Sequence, residues 1–189
     1  EKLSSDLHDD VGTLLAGLSM QSELLIIQGV EQMNGLLEEV GNMSKEAMER
    51  LRDIVWAVDS RKDKYQNLIF KMRDFASVIL SRDQFTIHFD CEGIDEQSII
   101  KPSHREQLYF IFKEALLNIT KHSNGDEVWI SLRNAGELML NIKDNGTKRN
   151  QQNTDGLGLS NIRMRADKIG ARLEIDAGEM FEVRVGIGV

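Results

Sequence analysis

The segment NIKDNGTKRNQQNTDGLGL, residues 141–159, decides the interpretation of this sequence because it joins a strand end, a polar stretch and several glycines. At its start, Leu138, Leu140 and Ile142 alternate with polar residues, the period-two pattern of a strand with one buried face. The next residue on that face is Asp144. A buried carboxylate is costly unless it meets a hydrogen-bond donor, and the exocyclic amine of adenine is such a donor.

The residues beyond Asp144 suit close contact with a phosphate-bearing ligand. Gly146, Gly156 and Gly158 allow the backbone to approach a ligand, and a helix that begins near Leu159 offers free N–H groups to phosphate. On these residues alone, a strand that ends one position early and an ordinary Asp-Asn-Gly turn form the alternative interpretation.

A second polar pattern lies on the predicted helix that contains KEALLNITKH, residues 113–122. At 100° per residue, Glu114, Asn118 and Lys121 fall within about 60° of one another, with His122 beside them. The opposite side is apolar and is expected to face the core: Leu108, Phe112, Ala115, Leu116 and Ile119. A carboxylate, an amide oxygen and an ammonium on one stripe can hold Mg²⁺ and contact nucleotide phosphates, although a solvated helix face has the same pattern.

A third pattern, DLHDDVG at residues 6–12, places a histidine at the edge of a helix face. His8 lies about 100° from the centre of the apolar stripe, so its ring is expected to be exposed. Gly12, one turn later on the same side, leaves room around the ring. Asp9 can reach the imidazole, fix its tautomer and make the other ring nitrogen a better nucleophile. An exposed histidine among acids on a solvated face is the alternative.

The N-terminal third of the chain has the pattern of a helical hairpin. Apolar residues recur at helical spacing over residues 3–27 and, after a break near Gly29, over residues 36–58. Two helices joined by a short turn form an antiparallel hairpin, which cannot cover its own apolar stripe on both sides. Pairing of two copies into a four-helix bundle is therefore predicted, and with it a homodimer.

From residue 62 onward the pattern changes to helices mixed with short strands, which predicts an α+β sandwich with a mainly antiparallel sheet. Helices are expected from about Tyr65 to Ile79, from Pro102 to about residue 122, and over residues 159–169. Strands are expected over residues 85–91, 127–133, 137–144, 172–176 and 182–188. The predicted domains are residues 1–61 and residues 62–189.

Composition narrows the possible functions. The net charge of −8 and a pI near 5.1 disfavour nucleic acid as a partner, because phosphate must be held by a local site against the overall field. A bound divalent cation would ease that conflict. The single cysteine, Cys91, allows no internal disulfide, and no apolar run approaches the roughly 20 residues of a membrane span. Because the chain starts with Glu1, we expect a soluble piece of a longer protein.

Together the three patterns resemble those of bacterial two-component sensor histidine kinases, in the class that includes nitrate sensors and membrane-fluidity thermosensors. DLHDDVG is similar to the phosphoacceptor box of that family, EALLNITKH to its N box, and DNG and DGLGLSNI to its two glycine boxes. LRDIVWAVD, residues 51–59, is similar to the second dimerisation helix of this class. The resemblance covers nearly the whole chain.

This resemblance implies a dimerisation and phosphotransfer hairpin at residues 1–61 and a Bergerat (GHKL) ATP-binding α/β sandwich at residues 62–189. It implies that His8 accepts the γ-phosphoryl group of ATP and passes it to an aspartate in the receiver domain of a response regulator. The chain would then be the cytoplasmic portion of a sensor anchored in the inner membrane.

The same resemblance implies a role for each candidate residue. Asp9 would orient or deprotonate His8, and Asn118 would ligate Mg²⁺, with Glu114 as a proton acceptor or a second metal ligand. The nucleotide-binding set would be Lys121 and His122 at the phosphates, Asp144 at adenine, and Gly146, Gly156, Gly158 and Leu159 around a loop that closes over Mg·ATP.

Three positions depart from the family pattern. Lys148 replaces the second glycine of the first glycine box, Met180-Phe181 replaces a Gly-Thr pair before the last strand, and Thr13 stands where kinases that also dephosphorylate their partner often carry Gln. Phosphatase activity, the stimulus, the cognate regulator and transfer within a subunit or across the dimer stay open. A catalytically degenerate dimeric scaffold and an ATPase of the same superfamily are the alternative functions.

Overall fold

The computed structural model describes residues 17, 33–59, 61, 63–82, 85–147, 157–178 and 180–188. The chain divides into two compact units, Glu1–Asp59 and Ser60–Val189. Within the described ranges, every helix is too short or too polar to span a lipid bilayer.

In the first unit, one long helix follows the apolar spacing of the sequence. Helix α1 runs over Met33–Val58 and buries Ala47 and Asp53. Gly17 is also helical, and a Cβ atom at this position would collide with the side chain of Met43. Helical backbone at Gly17 therefore packs closely on α1, as the predicted hairpin requires.

In the described part of the second unit, three helices accompany a five-stranded sheet, so the α+β prediction is confirmed. The helices are α2 (Tyr65–Arg82), α3 (Pro102–His122) and α4 (Leu157–Lys168). The strands are β1 (Thr86–Glu92), β2 (Glu127–Asn134), β3 (Glu137–Asp144), β4 (Arg172–Ala177) and β5 (Phe181–Gly188). They lie in the order β1-β2-β3-β5-β4, with β1 and β2 parallel and the other pairs antiparallel. Helix α3 supplies the crossover that a parallel pair needs.

The core of this unit lies between one face of the sheet and the helices. Strands β2 and β3 alternate buried and less buried residues, as the period-two pattern predicted. The buried positions are Val128, Ile130, Leu132, Leu138, Leu140 and Ile142, each at most 1% exposed. The predicted apolar side of α3 is also fully buried: Leu108, Phe112, Ala115, Leu116 and Ile119. Helix α3 is thus held in one rotation about its axis, which fixes where its polar side points.

The edge strand β1 is less buried than the central strands. The alternation of Phe85, Ile87, Phe89 and Cys91 in the sequence predicts a core position for Cys91, but Cys91 is only half-buried because β1 has a neighbouring strand on one side alone. Burial raises the pKa of the Cys91 thiol, and hydrogen bonding from Arg73 acts in the opposite direction. A thiol of raised pKa is a weak nucleophile at neutral pH.

The start of the second unit is held by an ion pair between a buried arginine and a half-buried aspartate, and by backbone hydrogen bonds. Arg105, near the start of α3, is 0% exposed, and its Nη1 lies 2.8 Å from Asp63 Oδ1. The N–H of Ile100 donates to Asp63 O at 3.1 Å, and the N–H of Tyr65 donates to Ser98 O at 3.2 Å. The chain is therefore fixed at Asp63, next to the N-terminal end of α3.

Candidate functional site

The C-terminal half of α3 carries the predicted polar stripe on its less buried side. Glu114 and Asn118 are half-buried and one turn apart, whereas Lys121 and His122 are exposed in the last turn. Basic side chains in that position also interact favourably with the negative end of the helix dipole. The stripe thus offers oxygen ligands in a sheltered position, and a lysine ammonium and an imidazole toward solvent.

Glu114 and Asn118 face the first turn of α4 at Gly158. A Cβ atom on Gly158 would lie 2.5 Å from Glu114 Oε1 and 3.0 Å from Asn118 Oδ1, so a larger residue would displace them. Asn118 Nδ2 is buried and has no hydrogen-bond partner within the described part of the chain. An amide with one unsatisfied end, a nearby carboxylate and a helix N-terminus together have the composition of a ligand site.

Asp144 occupies the last buried position of β3, as the alternation predicted, and is 1% exposed. Its Oδ1 accepts hydrogen bonds from the N–H groups of Gly146 at 3.0 Å and Phe181 at 3.2 Å. Its Oδ2 is buried, and no described residue donates to it. A buried carboxylate oxygen without a donor is costly, and it suits a ligand that brings an N–H group.

Gly146 lies where the turn after β3 meets the end of α3. It is buried, and a Cβ atom there would lie 2.6 Å from Ser123 Oγ and 3.2 Å from Asn124 Oδ1. Ser123 and Asn124 directly follow α3. The Asp144 turn and the Glu114/Asn118 stripe are therefore both anchored on the C-terminal half of the same helix.

The structure gathers the described site residues into two clusters and one helix end. The first cluster contains Glu114, Asn118, Gly158 and, next to Gly158 in α4, the buried Leu159. The second contains Asp144 and Gly146, and the exposed helix end carries Lys121 and His122. Outside the described residues lie His8, Asp9 and Gly156, and also Thr13 and Lys148.

The Met180-Phe181 departure leaves Asp144 supported. Phe181 is 0% exposed at the start of β5, and the bond to Asp144 comes from its main-chain N–H. A main-chain donor does not depend on the side chain that follows it, so this support survives the exchange of Thr for Phe. Met180 is 56% exposed.

Two asparagine side chains that the sequence patterns did not single out support the Asp144 turn. Asn124 Oδ1 accepts a hydrogen bond from the N–H of Thr147 at 2.9 Å, and Asn145 Oδ1 accepts from residues at the start of β2. The available signal was their position beside glycines in a turn, where asparagine often bonds backbone groups.

Two family models match the chain. Residues 1–63 match a family described as histidine kinase. Residues 103–187 match the family of histidine kinase-, DNA gyrase B- and HSP90-like ATPases. Both clusters of site residues, the one with Glu114 and Asn118 and the one with Asp144 and Gly146, lie within the second matched range.

Sensor proteins are similar to this chain over nearly its whole length. Sensor histidine kinase YxjM of Bacillus subtilis strain 168 is 25% identical over 192 residues, which cover 100% of this chain and 46% of YxjM. Sensor protein VraS of Staphylococcus haemolyticus is 27% identical over 195 residues, which cover 97% of this chain and 54% of VraS. The chain thus spans about half the length of these relatives.

Solved structures share the fold. Acinetobacter baumannii histidine kinase AdeS has a TM-score of 0.59 at 15% identity, with 96% of this chain and 97% of that chain covered. Full-length ShkA in complex with AMPPNP has a TM-score of 0.61 at 14% identity, and the match covers 100% of this chain and 45% of the ShkA chain.

Proposed function

Because the chain belongs to the sensor histidine kinases, we propose that it transfers the γ-phosphoryl group of ATP to His8 and then to an aspartate in a response-regulator receiver domain. In this proposal, residues 1–61 are the dimerisation and phosphotransfer domain and residues 62–189 the catalytic domain. The two family matches, over residues 1–63 and 103–187, support this assignment of the two domains.

The observation that carries the proposal is the buried Oδ2 of Asp144, to which no described residue donates. Adenine presents an exocyclic amine that can donate to this oxygen, whereas guanine carries a carbonyl oxygen at the equivalent ring position. A carbonyl oxygen would face the carboxylate unfavourably, so the site favours ATP over GTP. The solved complex of ShkA with AMPPNP supports an adenine nucleotide as the ligand.

Glu114 and Asn118 fit a magnesium site at the phosphates. Mg²⁺ prefers oxygen ligands and takes one or two from protein and the others from water and phosphate. Glu114 Oε1 and Asn118 Oδ1 both border the Gly158 position and can supply these ligands. When bound, Mg²⁺ neutralises phosphate charge. Lys121 and His122, exposed at the end of the same helix, would contact the phosphates.

The proposed transfer is a displacement at the γ-phosphorus. A ring nitrogen of His8 forms the new P–N bond while the bond from phosphorus to the β–γ bridging oxygen breaks and ADP leaves. Asp9 orients the imidazole and takes up the remaining ring proton, and Glu114 is the second candidate acceptor for that proton. In the next step the phosphoryl group moves to a carboxylate oxygen of the regulator.

A second copy of the chain is the proposed partner of the first unit. Leu37, Met48 and Val55 are 51, 53 and 66% exposed. Viewed down the helix axis at 100° per residue, their directions differ by no more than about 20°, so they form one stripe along α1. Burial of this stripe in a four-helix bundle removes apolar surface from water and forms the proposed homodimer.

We further propose that the chain is the cytoplasmic portion of a longer, membrane-anchored sensor. It spans about half the length of its sensor relatives, which leaves room in such a protein for a sensing segment. The net charge of −8 disfavours nucleic acid as a partner, and the proposed macromolecular partners are a second copy and the receiver domain of a response regulator.

Incubation with ATP labelled with ³²P at the γ position tests the kinase proposal. We expect labelled protein whose phosphate is released by acid and retained in base, as in phosphohistidine. His8→Gln should lose the label and keep nucleotide binding, whereas the same substitution at His88, exposed on β1, should not change labelling. Asn118→Ala should slow labelling strongly, and Asn67→Ala in α2 is its matched control.

The other outcomes separate the alternatives. Nucleotide binding without label would indicate a degenerate scaffold, and phosphate release without phosphoenzyme would indicate an ATPase. Label that persists in His8→Gln would assign the acceptor role to another residue.

A further inference from the structure

One side chain, that of Asn145, ties the end of β3 to the start of β2. Its Oδ1 accepts hydrogen bonds from the N–H groups of Asp126 and Glu127, each at 2.9 Å. Its Nδ2 donates to Asp126 Oδ1 at 2.8 Å, and its main-chain N–H donates to Glu127 O at 3.2 Å. Both ends of the amide are therefore used within one strand-end contact.

The surroundings of Asn145 favour an amide over a carboxylate or an aliphatic side chain at this position. A carboxylate at position 145 would face the carboxylate of Asp126 at hydrogen-bond distance, and an aliphatic residue would leave the N–H groups of Asp126 and Glu127 without their acceptor. Gly125 makes the space, since a Cβ atom there would collide with Asn145 Oδ1. Gly125 thus leaves room for the Asn145 side chain, and Asp126 accepts a hydrogen bond from it.

The neighbours of Asn145 form the part of the nucleotide site that reads the base. Asp144 lies directly before it, and the N–H of Gly146, directly after it, donates to Asp144 Oδ1 at 3.0 Å. On the far side, Thr147 is held by Asn124 Oδ1 at 2.9 Å. A shift of the backbone at residue 145 would move both the Asp144 carboxylate and one of its two donors.

We propose that Asn145 is a positioning residue for base recognition, and that its donor–acceptor pair with Asp126 holds the free oxygen of Asp144 in place for adenine. This inference rests on the proposed function. Asn145 acts through the turn and does not touch the nucleotide. Loss of the pair should therefore weaken adenine-nucleotide binding and reduce the preference for adenine over guanine, while the phosphate-binding stripe on α3 stays intact.

A charge-swap experiment tests the pair, with ADP and GDP affinities measured by calorimetric titration at neutral pH. N145D places two carboxylates face to face and should weaken ADP binding about tenfold, with a smaller change for GDP. D126N keeps an acceptor for Asn145 and should bind ADP like the unaltered protein. In N145D/D126N the donor and acceptor are exchanged, so ADP affinity should return to within about threefold of the original. N134D, at the opposite end of β2, is the matched control.

The results divide as follows. Unchanged ADP affinity in N145D, or a double variant no better than N145D, would overturn the inference. An equal loss of ADP and GDP affinity would also overturn it, because base reading would then be unaffected. If N145D does not fold, N145A takes its place, and ADP affinity equal to that of the unaltered protein would be decisive against Asn145. Failure of the unaltered protein to bind ADP would instead contradict the proposed function.

Discussion

The two ends of α3 use buried charge in opposite ways. At its start, Arg105 is 0% exposed and lies 2.8 Å from the Asp63 carboxylate. At its end, the turn that packs on Ser123 carries Asp144, which is 1% exposed and has one oxygen without a donor in the described part of the chain. The first charge has its counter-charge in the protein, and for the second we propose a ligand as the missing donor. Substitutions beside the start of α3 should therefore change mainly the stability of the fold, and substitutions beside its end mainly nucleotide binding.

The largest expected effect comes from breaking the pair at the start of α3. Asp63→Asn removes the counter-charge that lies beside the fully buried Arg105, which should lower the free energy of unfolding of the second unit by about 3–5 kcal/mol. Urea denaturation measures this change. Asp90→Asn is the matched control, because Asp90 pairs with Arg133 on the exposed face of the sheet and its loss should cost under about 1 kcal/mol. Equal costs for the two variants would contradict the comparison.

At the other end of α3, Asp144→Asn should weaken ADP binding about 10- to 100-fold, because a charged acceptor of the adenine amine is replaced by a neutral amide. Without nucleotide, its free energy of unfolding should fall by no more than about 1 kcal/mol, since an incompletely satisfied buried charge is removed. Titration calorimetry and urea denaturation give the two quantities. A stability loss as large as that of Asp63→Asn would contradict the proposed difference between the two ends of α3.

Gly158→Ala should separate catalysis from stability within the first cluster. The new methyl group displaces the ends of two side chains, Glu114 and Asn118, and we expect phosphohistidine formation to slow about tenfold. Unfolding free energy should change by under about 1 kcal/mol, because alanine is the better helix former. Gly188→Ala at the end of β5 is the matched control, since a Cβ atom there meets nothing within 4 Å, and its labelling rate should be unchanged.

The smallest expected effect is a pH dependence at the start of α3. Burial, with a contribution from Lys101, lowers the pKa of His104 below its ordinary value of 6.5. The unfolded chain then binds more protons in the window between the lowered pKa and 6.5, so stability is full above pH 6.5 and declines as the pH falls through that window. Urea denaturation at a series of pH values should show a shallower decline for His104→Gln. An identical slope in that variant would assign the decline to other groups.

The periodic parts of this fold were predictable because burial repeats along the sequence. The alternation over Leu138, Leu140 and Ile142 predicted both the strand and the buried position of Asp144, and all four side chains are at most 1% exposed. The wheel of α3 likewise predicted which side is buried and which carries Glu114. These predictions needed only local spacing.

The contacts between distant segments were not predictable in this way. Arg105 stands among polar residues at a helix start, where a charged side chain is expected to be exposed, and nothing in the spacing identifies Asp63 as its partner. Similarly, the bonds of Asn145 to Asp126 depend on the pairing of β2 with β3. The Phe181 side chain departs from the family pattern, yet its main-chain N–H supports Asp144, a contribution that no side-chain pattern records.

The place of β5 between β3 and β4 has a consequence for protein synthesis. When a ribosome has made the chain as far as α4, β3 still has an open edge, and Asp144 lacks the donor that Phe181 will supply. Of its two main-chain donors in the described part of the chain, the Asp144 carboxylate thus has only Gly146 until residues 181–188 have left the exit tunnel and entered the sheet. A nascent polypeptide therefore completes the surroundings of Asp144 only in the last stage of its synthesis.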